Sequence, residues 1–215
     1  MIGGADILAD LGSWILDLAG WTKARARDRL RLSVEGGVMS ENLPEVLISE
    51  EDIHDKVEEL ARRISADYRD VEDLILIGVL KGSFIFLADL ARHLTIPRSV
   101  DFMALSTYGN ATDTDGAVRM IMDLRRNIAG QHVLIVEDIV DTGYTLAYLV
   151  RTLAARQPAS LKTCVLVHKP DRREVYAQID YLGFEIPDEW VVGCGLDWAE
   201  KFRTLPYIGV VKPEE

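Results

Sequence analysis

The chain has 215 residues, 48% of them hydrophobic and 27% charged, with a formal net charge of −11. That balance fits one compact domain with at most a small appendage and excludes wholesale disorder. Of the 35 acids and 24 bases, five of each lie within residues 1–38, so the whole acidic excess belongs to the remainder, a surface that repels nucleic-acid phosphates and must bind any anion through a local device.

Near the N-terminus, Ile7, Leu8, Leu11, Trp14, Ile15 and Leu18 recur at helical spacing ahead of the basic run KARARDRLR. Asp6, Asp10 and Asp17 interrupt the apolar stretch, which excludes a membrane span, and the basic run follows the apolar residues, the reverse of a secretory signal. Residues 1–38 therefore read as an N-terminal extension, an amphipathic helix with a basic tail. It is a candidate oligomerisation element, membrane-surface anchor or untranslated leader. Gly36-Gly37 breaks the pattern, Met39 opens the main domain (39–215), and residues 40–44 read as a linker.

Ser49 caps a helix that carries Ile53, Val57, Leu60 and Ile64 on one face. The period then changes. LILIGVL (74–80) has strand length, Phe84 to Leu94 is helical, and VDFMALS (100–106) is a second strand. Residues 107–117 are turn formers without an apolar period and read as a long functional loop before the strand VRMIMDL (118–124). HVLIVED (132–138), a helix from about Thr145 to Ala155 and TCVLVHK (163–169) repeat the strand, helix, strand order. An α/β fold with a central, mostly parallel sheet flanked by helices follows. FEIP, WVVGCGL and YIGVV read as short strands of a small C-terminal subdomain spanning about 181–212.

Cys164 and Cys194 lie in apolar stretches and are too few for a disulfide framework or a four-cysteine zinc site, so the expected compartment is a reducing cytoplasm. His54, His93, His132 and His168 show no metal-ligand spacing and no partnered cysteine or serine, and read as structural or exposed.

The chemistry concentrates in VLIVEDIVDTGYTL (133–146). An apolar strand ends in Glu137 and Asp138 and runs through Asp141, Thr142, Gly143, Tyr144 and Thr145 into a helix. A glycine turn at a helix N-terminus exposes backbone N–H groups, hydroxyls add donors, and the helix dipole favours an anion. The spacing fits neither a P-loop nor a dinucleotide fingerprint. Paired carboxylates beside a phosphate cradle suit a sugar, because they accept hydrogen bonds from vicinal hydroxyls and help to hold a divalent metal.

This stretch resembles the phosphoribosyl-pyrophosphate (PRPP) motif of the type I phosphoribosyltransferases, and its surroundings resemble their 6-oxopurine (hypoxanthine-guanine) branch. GVLKGS (78–83), STYG (106–109), HKPDRR (168–173), GFEIPDEWVVGCGLD (183–197) and FRTLP (202–206) occur in order, so the likeness covers about residues 45–212. The resemblance implies the type I fold with a C-terminal hood. It implies transfer of phosphoribosyl from PRPP to hypoxanthine or guanine, giving IMP or GMP and pyrophosphate, with Mg2+ as cofactor. Glu137 and Asp138 would take the ribose hydroxyls and metal, residues 141–145 the 5-phosphate, and Asp141 the N7 proton as general acid/base. Lys81, Gly82 and Arg203 would hold pyrophosphate. Lys169 would contact the purine 6-oxygen, Trp190 would stack on the base, Val191 would touch it through its backbone, and Asp197 would hold a magnesium ion. Thr107 and Tyr108 would belong to a closing loop.

A homo-oligomer, dimer or tetramer, is expected, and the acidic surface and interrupted apolar stretch exclude nucleic acid and membrane as partners. A xanthine-preferring transferase and a non-catalytic PRPP-sensing regulator are the alternatives. Cys194 and Trp190, at positions where other aromatic residues are usual, leave the purine preference open.

Overall fold

The computed structural model describes residues 43–107 and 118–212. Strand β1 (Glu45–Ile48) precedes helix α1 (Glu50–Asp67), where Ser49 Oγ accepts the Asp52 N–H and donates to the Asp52 carboxylate. This reciprocal cap pairs one of the amides that a helix start leaves free. There follow β2 (Leu74–Leu80), α2 (Phe84–His93), β3 (Arg98–Thr107), β4 (Val118–Met122) and β5 (His132–Val140). Helix α3 (Tyr144–Ala154), β6 (Ser160–His168), β7 (Tyr181–Glu185), β8 (Val191–Val192) and β9 (Ile208–Val210) complete the chain.

Six strands form one sheet in the order β4-β3-β2-β5-β6-β7, parallel except for β4. Strand alternation divides the core between its faces. Leu74, Leu76, Leu134 and Val136 pack with Ile53, Leu60, Ile64, Phe86 and Leu90 of α1 and α2, whereas Ile75, Ile77, Val133 and Ile135 pack with Leu146, Leu149 and Leu153 of α3. A sheet covered on both faces explains why β2 reads as an unbroken apolar run.

Three sequence expectations need correction. The FEIP segment belongs to β7, which pairs parallel with β6 at the edge of the main sheet, so the hood does not begin at 181. Its strands are β8 and β9, joined by β1, which pairs antiparallel with β9 and which the sequence reading left unassigned. Strand β5 also continues through Glu137 and Asp138 to Val140, because the ladder to β6 runs on to Val140 opposite His168. The expectations for residues 1–38, the 107–117 loop beyond Thr107 and Tyr108 in particular lie outside the described residues.

Candidate active site

After β2 the chain proceeds to β3 on one side, yet the next parallel strand, β5, joins β2 on the other. Such a reversal opens a crevice at the carboxyl ends of the two strands, where ligands bind in open α/β sheets. Lys81 and Gly82 follow β2 at this point, with a cis peptide between Leu80 and Lys81, and Glu137 to Val140 close β5 with Asp141 just beyond. A Cβ on Gly82 would lie 1.6 Å from Asp138 Oδ2, so only glycine lets this loop lie against the carboxylate.

Both acids are buried, Glu137 at 6% and Asp138 at 9% exposure. Burial, with Asp138 adding repulsion, pushes the Glu137 carboxyl well above its usual range, and Oε2 is enclosed without a hydrogen-bond partner among the described residues. Burial also raises Asp138 to about 6, against the opposing pull of its own and the Ile139 backbone N–H groups and of Arg203. Two carboxylates held at such cost are poised for a ligand that supplies hydroxyls or positive charge.

The cradle follows directly. Gly143 caps α3 with φ of 92°, and a Cβ there would meet the Val175 carbonyl oxygen at 2.3 Å. The Thr142 carbonyl accepts the N–H groups of Glu174 and Val175, and the Tyr144 hydroxyl donates to Glu174. The loop from Asp141 to Thr145 is thereby clamped at the start of an 11-residue helix, a geometry that favours an anion. Arg172 Nε stands 2.9 Å from Asp141 Oδ1. Among the described residues that oxygen still lacks an aligned hydrogen-bond donor, so the contact is an ion pair and not a directed bond.

Lys169 follows β6 and is 4% exposed, with Nζ 3.7 Å from Asp188 Oδ1 and 5.8 Å from the centre of the Trp190 ring. Trp190 is half exposed and meets Trp198 edge to face at 5.2 Å, while Val191 is buried in β8. Arg203 pairs with Asp197 Oδ1 at 2.8 Å and donates to the Gly195 carbonyl. Gly195 itself presses on the loop that follows β2, where a Cβ would lie 1.8 Å from the Gly82 carbonyl oxygen. Lys81 reaches the same place from β2: Glu200 Oε1 accepts from Lys81 Nζ at 3.1 Å and from Arg203 Nη2 at 3.4 Å. Thr107 ends β3, on the opposite side of β2 from β5.

Comparison with known proteins places this geometry. Residues 49–198 match the model of the phosphoribosyl transferase domain. The chain belongs to the phosphoribosyl transferase family. It is 48% identical over 177 residues to the hypoxanthine-guanine phosphoribosyltransferase of Mycobacterium avium, covering 80% of this chain and 87% of that one. It is 47% identical to the hypoxanthine phosphoribosyltransferase of Haemophilus influenzae, with 82% of this chain covering all of that one. A crystal structure of a hypoxanthine-guanine phosphoribosyltransferase from Bacillus anthracis superposes with a TM-score of 0.73 at 46% identity, covering 80% of this chain and 100% of that one.

Within this phosphoribosyl transferase, Arg172, Asp188 and Glu200 are residues that motif reading missed, although HKPDRR and the 183–197 segment contain the first two. Asp188 joins Lys169 to Arg172, and Glu200 joins Lys81 to Arg203. Glu137, Asp138 and Asp197 supply hard oxygen donors, and the partnerless Glu137 Oε2 fits a cation. Among the described residues these three do not converge into one three-donor cage. That arrangement suits Mg2+, which uses one or two carboxylates and completes its shell with water and substrate oxygens.

Proposed function

We propose that this protein transfers the phosphoribosyl group of PRPP to hypoxanthine or guanine in purine salvage, releasing pyrophosphate. The observation that carries the reading is the gathering of the buried acid pair, the Asp141–Thr145 cradle and the buried Lys169 on the C-terminal ends of β5 and β6. The cradle takes the 5-phosphate, and Glu137 and Asp138 take the ribose hydroxyls. As the bond from C1 to pyrophosphate breaks, positive charge develops on the ribose and negative charge on the leaving group. The acids suit the former, and Lys81 and Arg203 suit the latter. Purine N9 bonds to C1, and Asp141 accepts the proton that leaves N7. When bound, Mg2+ would neutralise charge on the pyrophosphate oxygens, with Glu137, Asp138 and Asp197 as its protein donors. Thr107 and Tyr108 would belong to a segment that closes over the substrates and excludes water.

Specificity rests on Lys169. Its ammonium can only donate, which suits the 6-oxygen of hypoxanthine and guanine. Adenine presents an amino group there, leaving two donors unpaired in a closed site. The test is a spectrophotometric assay of the purified chain with PRPP, Mg2+ and each of hypoxanthine, guanine, xanthine and adenine. Hypoxanthine and guanine are expected to turn over, with adenine slower by up to about 10⁴-fold. Preferred turnover of xanthine or adenine would overturn the assignment.

The acidic surface opposes nucleic acid as a partner. No helix among the described residues is long and apolar enough to cross a membrane. The buried free thiols of Cys164 and Cys194 fit a reducing cytoplasm. The exposed apolar side chains of Phe84, Val100 and Ile121 fit a homo-oligomer, dimer or tetramer.

A further inference from the structure

A further group of donors lies outside the crevice. His54 and Glu58 stand one turn apart on α1, and His93 is the last residue of α2, which packs against α1. One ligand atom from each lies within 4.8 Å of the other two. Glu58 Oε1 is 3.4 Å from His54 Nε2 and 3.8 Å from His93 Nε2. Ligands about 2.0–2.1 Å from a tetrahedral zinc ion stand roughly 3.3 Å apart, so these two separations are within about 0.5 Å of ligating geometry.

The His93 ring is oriented for the task. Its Nδ1 lies 2.8 Å from the Asp89 carbonyl oxygen. A carbonyl can only accept, so Nδ1 carries a proton and donates, which leaves the Nε2 lone pair facing Glu58 whenever the ring is neutral. This is the outer contact that fixes the tautomer of metal-bound imidazoles. The two rings meet edge to face at 5.4 Å, and His54 and Glu58 are about half exposed, so an ion can enter. Both histidines also line a cavity of about 570 Å³ between α1, α2 and the hood turn at Leu205, with room for the water that completes an open coordination shell.

We propose that His54, Glu58 and His93 form a binding site for a borderline divalent transition-metal ion, Zn2+ fitting best, which clamps α2 to α1. Two imidazoles and one carboxylate favour such an ion over Mg2+ or Ca2+, which select all-oxygen shells. The site is thus separate in chemistry and place from the carboxylates of the crevice. Helix α2 begins just beyond Lys81 and Gly82, so the clamp would tie down the element that follows the pyrophosphate loop.

The test is calorimetric titration of Zn2+ into the full chain, stripped of metal and held in a large excess of Mg2+ to occupy the crevice carboxylates. Thermal melts are recorded in parallel. One ion per chain is expected, and the titration gives its dissociation constant. At a tenfold excess over that constant the thermal midpoint should rise by roughly 3 to 6 °C. His54→Ala, His93→Ala and Glu58→Gln should each weaken binding by at least about tenfold, and Co2+ should show a visible ligand-field band that His54→Ala removes. Should His93→Ala fail to fold by circular dichroism, the exposed His54 decides alone. Unchanged affinity in His54→Ala, or no Zn2+ binding by the wild-type chain, would overturn the proposal, the former placing the ion on another donor set.

Discussion

Asp138 is a single position at which burial of a charge costs the fold stability. Its carboxylate lies against Gly82, and burial raises its pKa from 3.8 to about 6. The folded state therefore holds a proton that the unfolded chain releases. The stabilising contribution is complete below about pH 4 and is lost as pH rises through about 6. At neutral pH the buried charge costs on the order of 3 kcal/mol. Asp138→Asn is expected to raise the thermal midpoint by several degrees near pH 7.5, with the gain vanishing near pH 4, while turnover falls. A midpoint unchanged at neutral pH would show that the charge is not paid for by the fold. Glu200 works in the opposite sense. Its carboxylate is held below its usual range first by the hydrogen bond from Lys81, and it also accepts from Arg203, so it engages the two cations proposed for pyrophosphate. On the proposed function, PRPP would have to displace it. Glu200→Gln should lower KM for PRPP a few-fold with kcat little changed, and initial-rate kinetics over PRPP concentration check this. Lys81 and Arg203 were legible as motif residues. Their bridging through Glu200 was not, because it depends on the hood turn that brings Gly195 onto Gly82.

Elements with strong periodic signals were legible from the chain alone. The range of β2 follows from its apolar run, and α1 from its cap and the spacing of Ile53, Val57, Leu60 and Ile64. What periodicity does not encode is which sheet a short strand joins. The four residues of β1 carry little signal of their own and acquire strand geometry from β9, far along the chain. Residues 181–185 look like another short hood strand until the parallel ladder to β6 is seen. Strand β1 therefore has a consequence that its length conceals. Without it the hood keeps only β8 and β9, a two-stranded pair, which is marginal in water. Ile208, fully buried in β9, would lose its cover. A chain beginning at Ser49 is expected to retain most of its far-ultraviolet circular dichroism, because the six-stranded sheet is intact. Its turnover should fall at least about tenfold as the turn carrying Asp197 and Arg203 loosens. Trp190 and Trp198 are then its only tryptophans, so their emission reports the hood directly. A native spectrum with full turnover would mean that β1 is dispensable.

At the scale of the whole molecule, every proposed site residue other than Tyr108 lies within the described part of the 44–215 unit, which is compact in its own right. The complete Haemophilus influenzae relative is matched by 82% of this chain, so a relative of this kind is built without the rest. The acidic excess also belongs wholly to residues 39–215, and residues 1–38 are neutral in sum. Deleting them leaves the −11 that surrounds the crevice unchanged, and with it the long-range field that an incoming anion must cross. A chain beginning at Met39 keeps β1, the hood and both faces of the sheet. It is expected to match the full chain in turnover within about twofold and in thermal midpoint within a few degrees. Trp14, Ile15 and Leu18 set the scale of the opposite outcome. Each, if buried against the body, would contribute about 1.5 to 3 kcal/mol, and even one such loss would lower the midpoint by roughly 3 to 12 °C. Parallel melts and initial rates of the two chains therefore decide the boundary. A drop of that size, or aggregation on truncation, would make the first 38 residues part of the domain or of its interface with another copy.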